Sequence, residues 1–264
     1  MNNNDDLLLS LAAKCSLNVS EFSRVETAGH EVYSNGRVYI KFGNKDEAEL
    51  VRSVYPSDFL GMLQVRGVCA FAVKNLGRQV SEQDFSGELF SSWMSEIRRI
   101  SSMNPAIRPD KLMIATEVSL ITSAMTQDDY NIQPYIDELT ARTPDYSSAK
   151  QVFLQGDPNF RNVVFDDSQE AHLVDFDHAK LGPLEWDIAN VLMVCLIANR
   201  NDLYELGQKE FVDADTQLVR SFMGIRLAQT LVHTVGHMGF EGVDGLERRK
   251  SVVKDFLKSK NKVA

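Results

Sequence analysis

Residues 155–165 read Gln-Gly-Asp-Pro-Asn-Phe-Arg-Asn-Val-Val-Phe, and residues 173–177 read Leu-Val-Asp-Phe-Asp. Asp157 and Asn162 are five residues apart, on a predicted loop between two apolar strands, and Asp175 ends the next apolar strand. One carboxylate can orient an acceptor hydroxyl and take its proton, while an amide oxygen and a second carboxylate are hard ligands that suit Mg²⁺. This pattern is typical of a phosphoryl-transfer site, and it decides which fold we expect.

Two neighbouring motifs make the pattern more specific. The Asp-x-x-x-x-Asn spacing matches the catalytic loop of protein kinases, and residues 175–177 stand where those enzymes have Asp-Phe-Gly. Residues 182–189 then read Gly-Pro-Leu-Glu-Trp-Asp-Ile-Ala. Together the motifs resemble the aminoglycoside phosphotransferase and choline kinase-like family. The resemblance is sharp over residues 155–190 and extends elsewhere only to the order of the lobes.

The resemblance implies a two-lobed, protein kinase-like α+β fold with a small β-rich N-lobe and a larger, mostly helical C-lobe. It implies an ATP-dependent kinase that phosphorylates a hydroxyl of a small molecule such as an amino sugar, a choline-like amine or a sugar. Asp157 would be the catalytic base, Asn162 and Asp175 the Mg²⁺ ligands. Asp187 would brace the catalytic loop from the start of a helix, and Asp177 is a candidate for assisting the metal or the substrate.

One position departs from the family pattern. The family usually has a histidine before Gly-Asp, where this chain has Gln155. A glutamine side chain also donates and accepts hydrogen bonds, which is compatible with activity. The same residue is the support for the alternative function, a catalytically weak or inactive kinase-like nucleotide-binding protein that acts through a partner.

The nucleotide end of the site is expected near residues 38–41, Val-Tyr-Ile-Lys, which resemble the Val-Ala-Ile-Lys element of kinases. Lys41 would reach the nucleotide phosphates. A carboxylate from the following helix should hold Lys41 in place. Glu47 and Glu49 are both candidates, and Glu49 is preferred.

Two further segments are expected to contact the nucleotide. Residues 27–31, Thr-Ala-Gly-His-Glu, predict the loop over the phosphates, with Gly29 and His30 as the contacts, because glycine permits a close backbone approach. Residues 73–76 predict the hinge beside the base, with Lys74 and Leu76 as candidates. No Walker motif is present, which argues against a P-loop enzyme. The sequence leaves ATP and GTP both open.

Hydrophobic periodicity gives the same two-lobed organisation. An Asn-Gly turn at residues 35–36 predicts a hairpin, and an Arg-Gly pair at residues 66–67 predicts a second one. We expect an N-terminal nucleotide-binding lobe at residues 1–76 and a helical C-terminal lobe with the acceptor site at residues 77–264. Helices are predicted at 6–14, 45–54, 86–103, 112–125, 128–141, 186–199, 215–238 and 246–258, and strands at 22–26, 32–33, 37–42, 62–65, 68–74, 149–154, 163–165 and 173–176.

Composition limits the partners. The net charge of −9 and the pI of about 5.1 argue against nucleic-acid binding. The apolar run at residues 189–198 is too short to span a membrane. Three scattered cysteines and an N-terminus without a basic region lead us to expect a cytoplasmic protein. Oligomeric state is not predicted.

Acidic residues precede the catalytic segment. Asp128, Asp129, Asp137, Glu138 and Asp145 lie in a region that helps to build the acceptor site in the family. Carboxylates there suit a cationic acceptor. A solvated acidic face explains them as well.

Overall fold

The computed structural model describes residues 3–25, 31–124, 130–141, 144–236 and 238–260. Its N-terminal part is a five-stranded antiparallel sheet flanked by two helices. The elements are α1 (Asn3–Lys14), β1 (Ser23–Val25), β2 (Glu31–Ser34), β3 (Val38–Gly43), α2 (Lys45–Val54), β4 (Phe59–Val65) and β5 (Val68–Lys74). The strands lie in the order β1-β2-β3-β5-β4, so β3 is central. Both predicted hairpins are confirmed.

Local sequence explains the centre of this sheet. In β3 the buried side chains alternate as Val38, Ile40 and Phe42, which is the period of a strand with one covered face. Leucines of α1 pack against that face. The turn before β3 is closed by Asn35, whose side-chain oxygen accepts from the backbone N–H groups of residues 37 and 38.

Asn44 starts α2 directly after β3. Its side-chain oxygen accepts from the backbone N–H of Glu47 at 2.7 Å, which is an ordinary N-cap. The cap therefore fixes where the first turn of α2 lies relative to the end of the central strand.

The linker after β5 is fixed to the C-terminal part. Gly77 has a φ of +152°, and a Cβ at this position would come within 2.3 Å of the Phe165 carbonyl oxygen. Only glycine avoids this clash. The next residue, Arg78, exchanges two backbone hydrogen bonds with Phe165, both of 2.9 Å.

The C-terminal part is mostly helical. Its elements are α3 (Gly87–Ser101), α4 (Ile114–Ala124), α5 (Gln133–Thr140), β6 (Val152–Leu154), β7 (Val163–Phe165), β8 (Ala171–Leu173), β9 (Lys180–Gly182), α6 (Glu185–Ile197), α7 (Asn201–Glu210), α8 (Thr216–Gly236) and α9 (Met238–Lys260). Strand β6 pairs with β9, and β7 pairs with β8. Between β6 and β7 lies the loop of residues 155–162, called here the Asp157 loop.

Aromatic residues of α3 and its surroundings form the centre of the C-terminal core. Trp93 is fully buried and contacts the rings of Phe85, Phe90 and Phe160. Because Phe160 belongs to the Asp157 loop, its contact with Trp93 anchors that loop to the core. Trp93 and its aromatic neighbours are core residues.

Some element predictions are wrong. The strand predicted at 173–176 is β8 at Ala171–Leu173, and the chain leaves it before Asp175, which has a φ of +62°. The helix predicted at 128–141 is shorter, Gln133–Thr140. Strand β9 and helix α7 were not predicted. Among the described residues, none of the helices combines the length and the apolarity needed to cross a membrane.

Candidate functional site

Lys41 lies at the centre of a cluster of carboxylates. It is on β3, and its Nζ is 2.6 Å from Glu47 Oε1 and 2.7 Å from Asp175 Oδ1. Asp177 Oδ2 is 3.7 Å away. The preference for Glu49 is therefore wrong: Glu49 pairs with Arg52 of the same helix, and Glu47 is the partner of Lys41.

The cluster around Lys41 contains more carboxyl groups than ammonium groups. Burial of Glu47 and the adjoining Asp177 carboxylate raise the pKa of Glu47 to about 8, against the opposing effect of Lys41. Burial alone lowers the pKa of Lys41, but Glu47 and Asp175 outweigh it and the net pKa is raised. Three carboxyl groups thus share one ammonium group.

This arrangement fits a divalent cation. Single oxygens of Glu47, Asp175 and Asp177 all lie within 4.8 Å of one another. Glu47 Oε2 is buried and accepts no hydrogen bond from any described residue. Carboxylate oxygens in such a set are the ligands that Mg²⁺ and Ca²⁺ prefer. The structure therefore brings one predicted metal ligand, Asp175, together with Asp177.

The other predicted ligand lies beside Asp175 on the same hairpin. Asn162 precedes β7, and its carbonyl oxygen accepts from the backbone N–H of Val174 at 2.9 Å. Its side-chain Nδ2 donates to the carbonyl oxygen of Asp157 at 3.0 Å. This bond to the Asp157 loop fixes the orientation of the Asn162 side-chain amide, including its oxygen.

Gln155 joins the Asp157 loop to the segment that carries Asp175. Its side chain is completely buried. Nε2 donates to the carbonyl oxygens of Val174 and Asp175 at 3.0 and 2.5 Å, and Oε1 accepts from the backbone N–H of Asp157 at 2.8 Å. Every polar atom of the amide side chain is used, so Gln155 ties the Asp157 loop to the segment of Asp175 through its side chain.

Asp187, the predicted brace, lies under the same loop. It is in the first turn of α6, and its two oxygens accept from the backbone N–H groups of Gln155 and Gly156 at 2.9 and 3.1 Å. Full burial raises the pKa of Asp187 to about 7, while these two bonds and the charge of Arg226 lower it. Gly156 has a φ of +92°, and a Cβ there would lie 1.8 Å from the His178 carbonyl oxygen, so this position requires glycine.

Asp157 is half-exposed and held by side chains from three elements. Its Oδ1 accepts from Arg226 of α8 at 2.9 Å and from Asn190 of α6 at 3.1 Å. Its Oδ2 accepts from Asn159 at 2.8 Å and has a longer contact of 3.4 Å with Asn162. Asp157 therefore has an ordered carboxylate with one side open to the solvent.

Sequence reasoning did not identify two of these partners. Asn190 is three residues after Asp187 and is the one polar residue of α6 after its first turn, and that polar pair on one face of α6 was an available signal. Arg226 lies 69 residues after Asp157, and nothing in a single sequence marks it as a partner.

Phe176 fixes the segment between Asp175 and Asp177. It is buried, stacks on Phe153 with ring centroids 6.1 Å apart, and meets Tyr55 edge to face at 6.4 Å. Because Phe176 is held in the core, the two flanking aspartates are kept on the side of Lys41.

The remaining predicted nucleotide contacts have mixed outcomes. The side chain of Lys74 is used in another contact, because its Nζ donates to the Ser57 carbonyl oxygen at 2.9 Å. Leu76 is half-buried against the core, and its backbone N–H bonds to no other described residue. Gly29 and His30 lie outside the described residues.

The acidic residues that precede the Asp157 loop form no buried anionic pocket in the described part of the chain. Asp137, Glu138 and Asp145 are exposed, and Asp137 accepts from Gln133 on its own helix at 2.7 Å. Asp128 and Asp129 lie outside the described residues. A solvated acidic face accounts for the described part.

The model of the phosphotransferase enzyme family (APH) matches residues 77–218. No curated protein matches the sequence. A solved structure of the amicoumacin kinase hAmiN in complex with AMP-PNP, Ca²⁺ and Ami has a TM-score of 0.68 at 13% identity, covering 96% of this chain and 94% of that one. The choline kinase LicA from Streptococcus pneumoniae has a TM-score of 0.67 at 11% identity, with 97% and 99% covered. The GDP and kanamycin complex of APH(2")-IIIa has a TM-score of 0.69 at 11% identity, with 97% and 98% covered. These similarities confirm the predicted two-lobed, kinase-like fold.

Proposed function

Because this chain belongs to the phosphotransferase enzyme family, we propose that it transfers the γ-phosphoryl group of ATP or GTP to a hydroxyl group of a small molecule. The observation that carries the proposal is the meeting of Lys41 with Asp175 at 2.7 Å, next to the Asp157 loop. This contact joins the nucleotide end of the site to the acceptor end, as phosphoryl transfer requires.

Each side chain has one task in the proposed reaction. The half-exposed Asp157 carboxylate accepts the proton of the acceptor hydroxyl. Lys41 contacts the phosphates. Asn162 and Asp175 would hold Mg²⁺, with Asp177 and Glu47 beside them. Bound Mg²⁺ supplies neutralisation of the phosphate charge.

The proposal extends to the base of the nucleotide and to the lobes. The N–H of Leu76, which bonds to no other described residue, would donate to the purine, since residues 74 and 75 already use their own N–H groups in bonds to Asp58 and Arg37. The division of the chain into lobes at residues 76 and 77 belongs to the same proposal. The close packing of Gly77 against Phe165 supports it.

The test is release of ADP from Mg-ATP, screened over amino sugars, amino alcohols and sugars. Asp157→Asn should lower turnover by about 10²- to 10⁴-fold, because the proton acceptor is lost, while nucleotide binding by calorimetry stays close to that of the wild type. Asp255→Asn is the matched control, since Asp255 is exposed and pairs only with Lys258 among the described residues. Tight binding of Mg-ATP without ADP release in any condition would contradict the proposal and favour a nucleotide-binding protein that acts through a partner.

The same screen decides the acceptor class. If the acceptor is cationic, the protein should release more ADP in the presence of amino sugars or amino alcohols than in the presence of neutral sugars of the same size.

A further inference from the structure

The two oxygens of Asp157 are in different situations. Oδ1 receives two donors, Arg226 Nη2 at 2.9 Å and Asn190 Nδ2 at 3.1 Å, which fill its two lone-pair directions. Oδ2 receives one short bond, from Asn159 at 2.8 Å. Oδ2 is therefore the oxygen with remaining capacity to accept a proton from a substrate hydroxyl.

Arg226 is itself held on every side. Its side chain is 12% exposed. Nε donates to Asn190 Oδ1 at 2.7 Å, Nη1 to Gln229 Oε1 at 3.0 Å, and Nη2 also to the Gly156 carbonyl oxygen at 3.1 Å. The guanidinium carbon lies 5.0 Å from the centre of the Trp186 ring.

The connection continues to a fourth segment. Gln229 Nε2 donates to Glu117 Oε2 on α4 at 2.8 Å. One guanidinium group thus connects the Asp157 loop, α6 and α8 directly, and α4 through Gln229.

We propose that Arg226 is a positioning residue of the transfer step: it fixes Oδ1 of Asp157 so that Oδ2 faces the acceptor hydroxyl. This inference rests on the proposed function. The planar fork of arginine is needed, because it reaches Asp157, the Gly156 carbonyl, Asn190 and Gln229 at once, and the single ammonium group of a lysine cannot. Charge alone is therefore not enough.

Arginine removal should lower turnover without weakening nucleotide binding. Arg226→Ala is expected to lower ADP release from Mg-ATP, with water as the acceptor, by about a hundredfold, because a small displacement of a reacting group has an effect of that size. The KM for ATP should change less than about threefold, since the residue acts on the orientation of Asp157. Arg226→Lys should lose nearly as much, which separates geometry from charge.

Chemical rescue distinguishes positioning from a general loss of structure. Dilute guanidinium chloride should restore turnover of Arg226→Ala by at least about tenfold, whereas sodium chloride at equal ionic strength should not. Guanidinium chloride should have no effect on the turnover of Asp157→Asn, which keeps Arg226. Turnover of Arg226→Ala close to that of the wild type, or turnover that guanidinium leaves unchanged, overturns the proposal.

Amide hydrogen exchange tests the positioning independently of activity. The N–H groups of Gln155, Gly156 and Asp157 are bonded to side chains, so loosening of the Asp157 loop should speed their exchange in Arg226→Ala. The control is Arg220→Ala on the same helix, where the lost bonds lead to Phe256 and Ser259. Unchanged exchange in the loop, or an equal increase in the control, overturns the proposal. If the wild type releases no ADP at all, the proposed function fails, and the exchange experiment still decides the role of Arg226.

Discussion

At the scale of single residues, the most informative contrast is between Glu47 and Glu49. Both are on α2, but Glu47 shares the buried face of the helix with Val51 and Val54, which follow it by four and seven residues. Glu49 follows Glu47 by two residues, which places it off that buried face, and it pairs with Arg52. The position of the helix face thus decides which carboxylate reaches Lys41.

This contrast gives a paired prediction. Glu47→Ala should lower kcat/KM for the nucleotide at least about tenfold, since Lys41 loses the partner that holds it towards the phosphates. Glu49→Ala should stay within about twofold, because it loses only a 3.3 Å ion pair with the exposed Arg52, away from Lys41. Steady-state kinetics of both variants against nucleotide concentration is the measurement. Equal effects in the two variants would contradict the assignment of Glu47.

The proximity of residues that stand in short motifs could be predicted from the sequence. Asp157, Asn162, Asp175 and Asp187 are placed together as the motifs predict, although their chemical roles stay predictions. The choice of Glu49 was wrong although the period of α2 contained the answer. Arg226 is different, since its contact with Asp157 depends on how α8 packs, and no local pattern encodes that packing.

At the scale of elements, Tyr55 joins the two parts of the chain. It follows α2 and is buried, and its hydroxyl group contacts Glu96 Oε1 of α3 at 2.7 Å and the carbonyl oxygen of Leu173, the last residue of β8, at 2.8 Å. Burial and the Glu96 carboxylate raise the pKa of Tyr55, so the hydroxyl group remains a donor at neutral pH. The helix that carries Glu47 is thereby tied to the strand that leads into Asp175.

Removal of this hydroxyl group should destabilise the protein. Tyr55→Phe is expected to lower the free energy of unfolding by about 1–3 kcal/mol, because a buried carboxylate and a carbonyl lose their common donor. Urea unfolding followed by circular dichroism is the measurement. Tyr39→Phe is the control, since the Tyr39 hydroxyl bonds to no other residue in the described part of the chain, and its effect should stay within about 0.5 kcal/mol. An equally small effect at residue 55 would refute the tie.

The strand before Asp175 shows why element boundaries were harder to predict. Leu173, Val174 and Phe176 are apolar and nearly consecutive, which favours a longer strand. The chain instead turns at Asp175 with a φ of +62°, a conformation that aspartate tolerates better than most residues. Contacts of Phe176 with Phe153 and Tyr55 make this turn favourable, and those partners are distant in sequence.

At the scale of the whole molecule, the sheet of strands β1 to β5 and the helical part are joined at the linker, at Tyr55 and at Lys41. A ligand that contacts Lys41, Asp175 and the Leu76 N–H would bind both parts at once. The order of the two parts was predictable, because strand and helix periods separate clearly near residue 77.

Mg-nucleotide should therefore stabilise the whole chain in one transition. At a concentration of one hundred times Kd the gain is about 2.7 kcal/mol, which for 264 residues corresponds to a rise in Tm of about 5 °C. Differential scanning calorimetry with Mg-AMP-PNP is the measurement. Lys41→Met should abolish most of the shift. A rise in Tm that is the same for Lys41→Met and the wild type would show that the nucleotide binds elsewhere.

The amide of Gln155 has a consequence for pH–rate profiles. An imidazole in its place would gain a second donor on protonation near pH 6.5, whereas an amide presents the same donor and acceptor at every accessible pH. The tie between the Asp157 loop and Asp175 is thus insensitive to acid. A decline of turnover between neutral and weakly acidic pH would therefore not come from titration of residue 155.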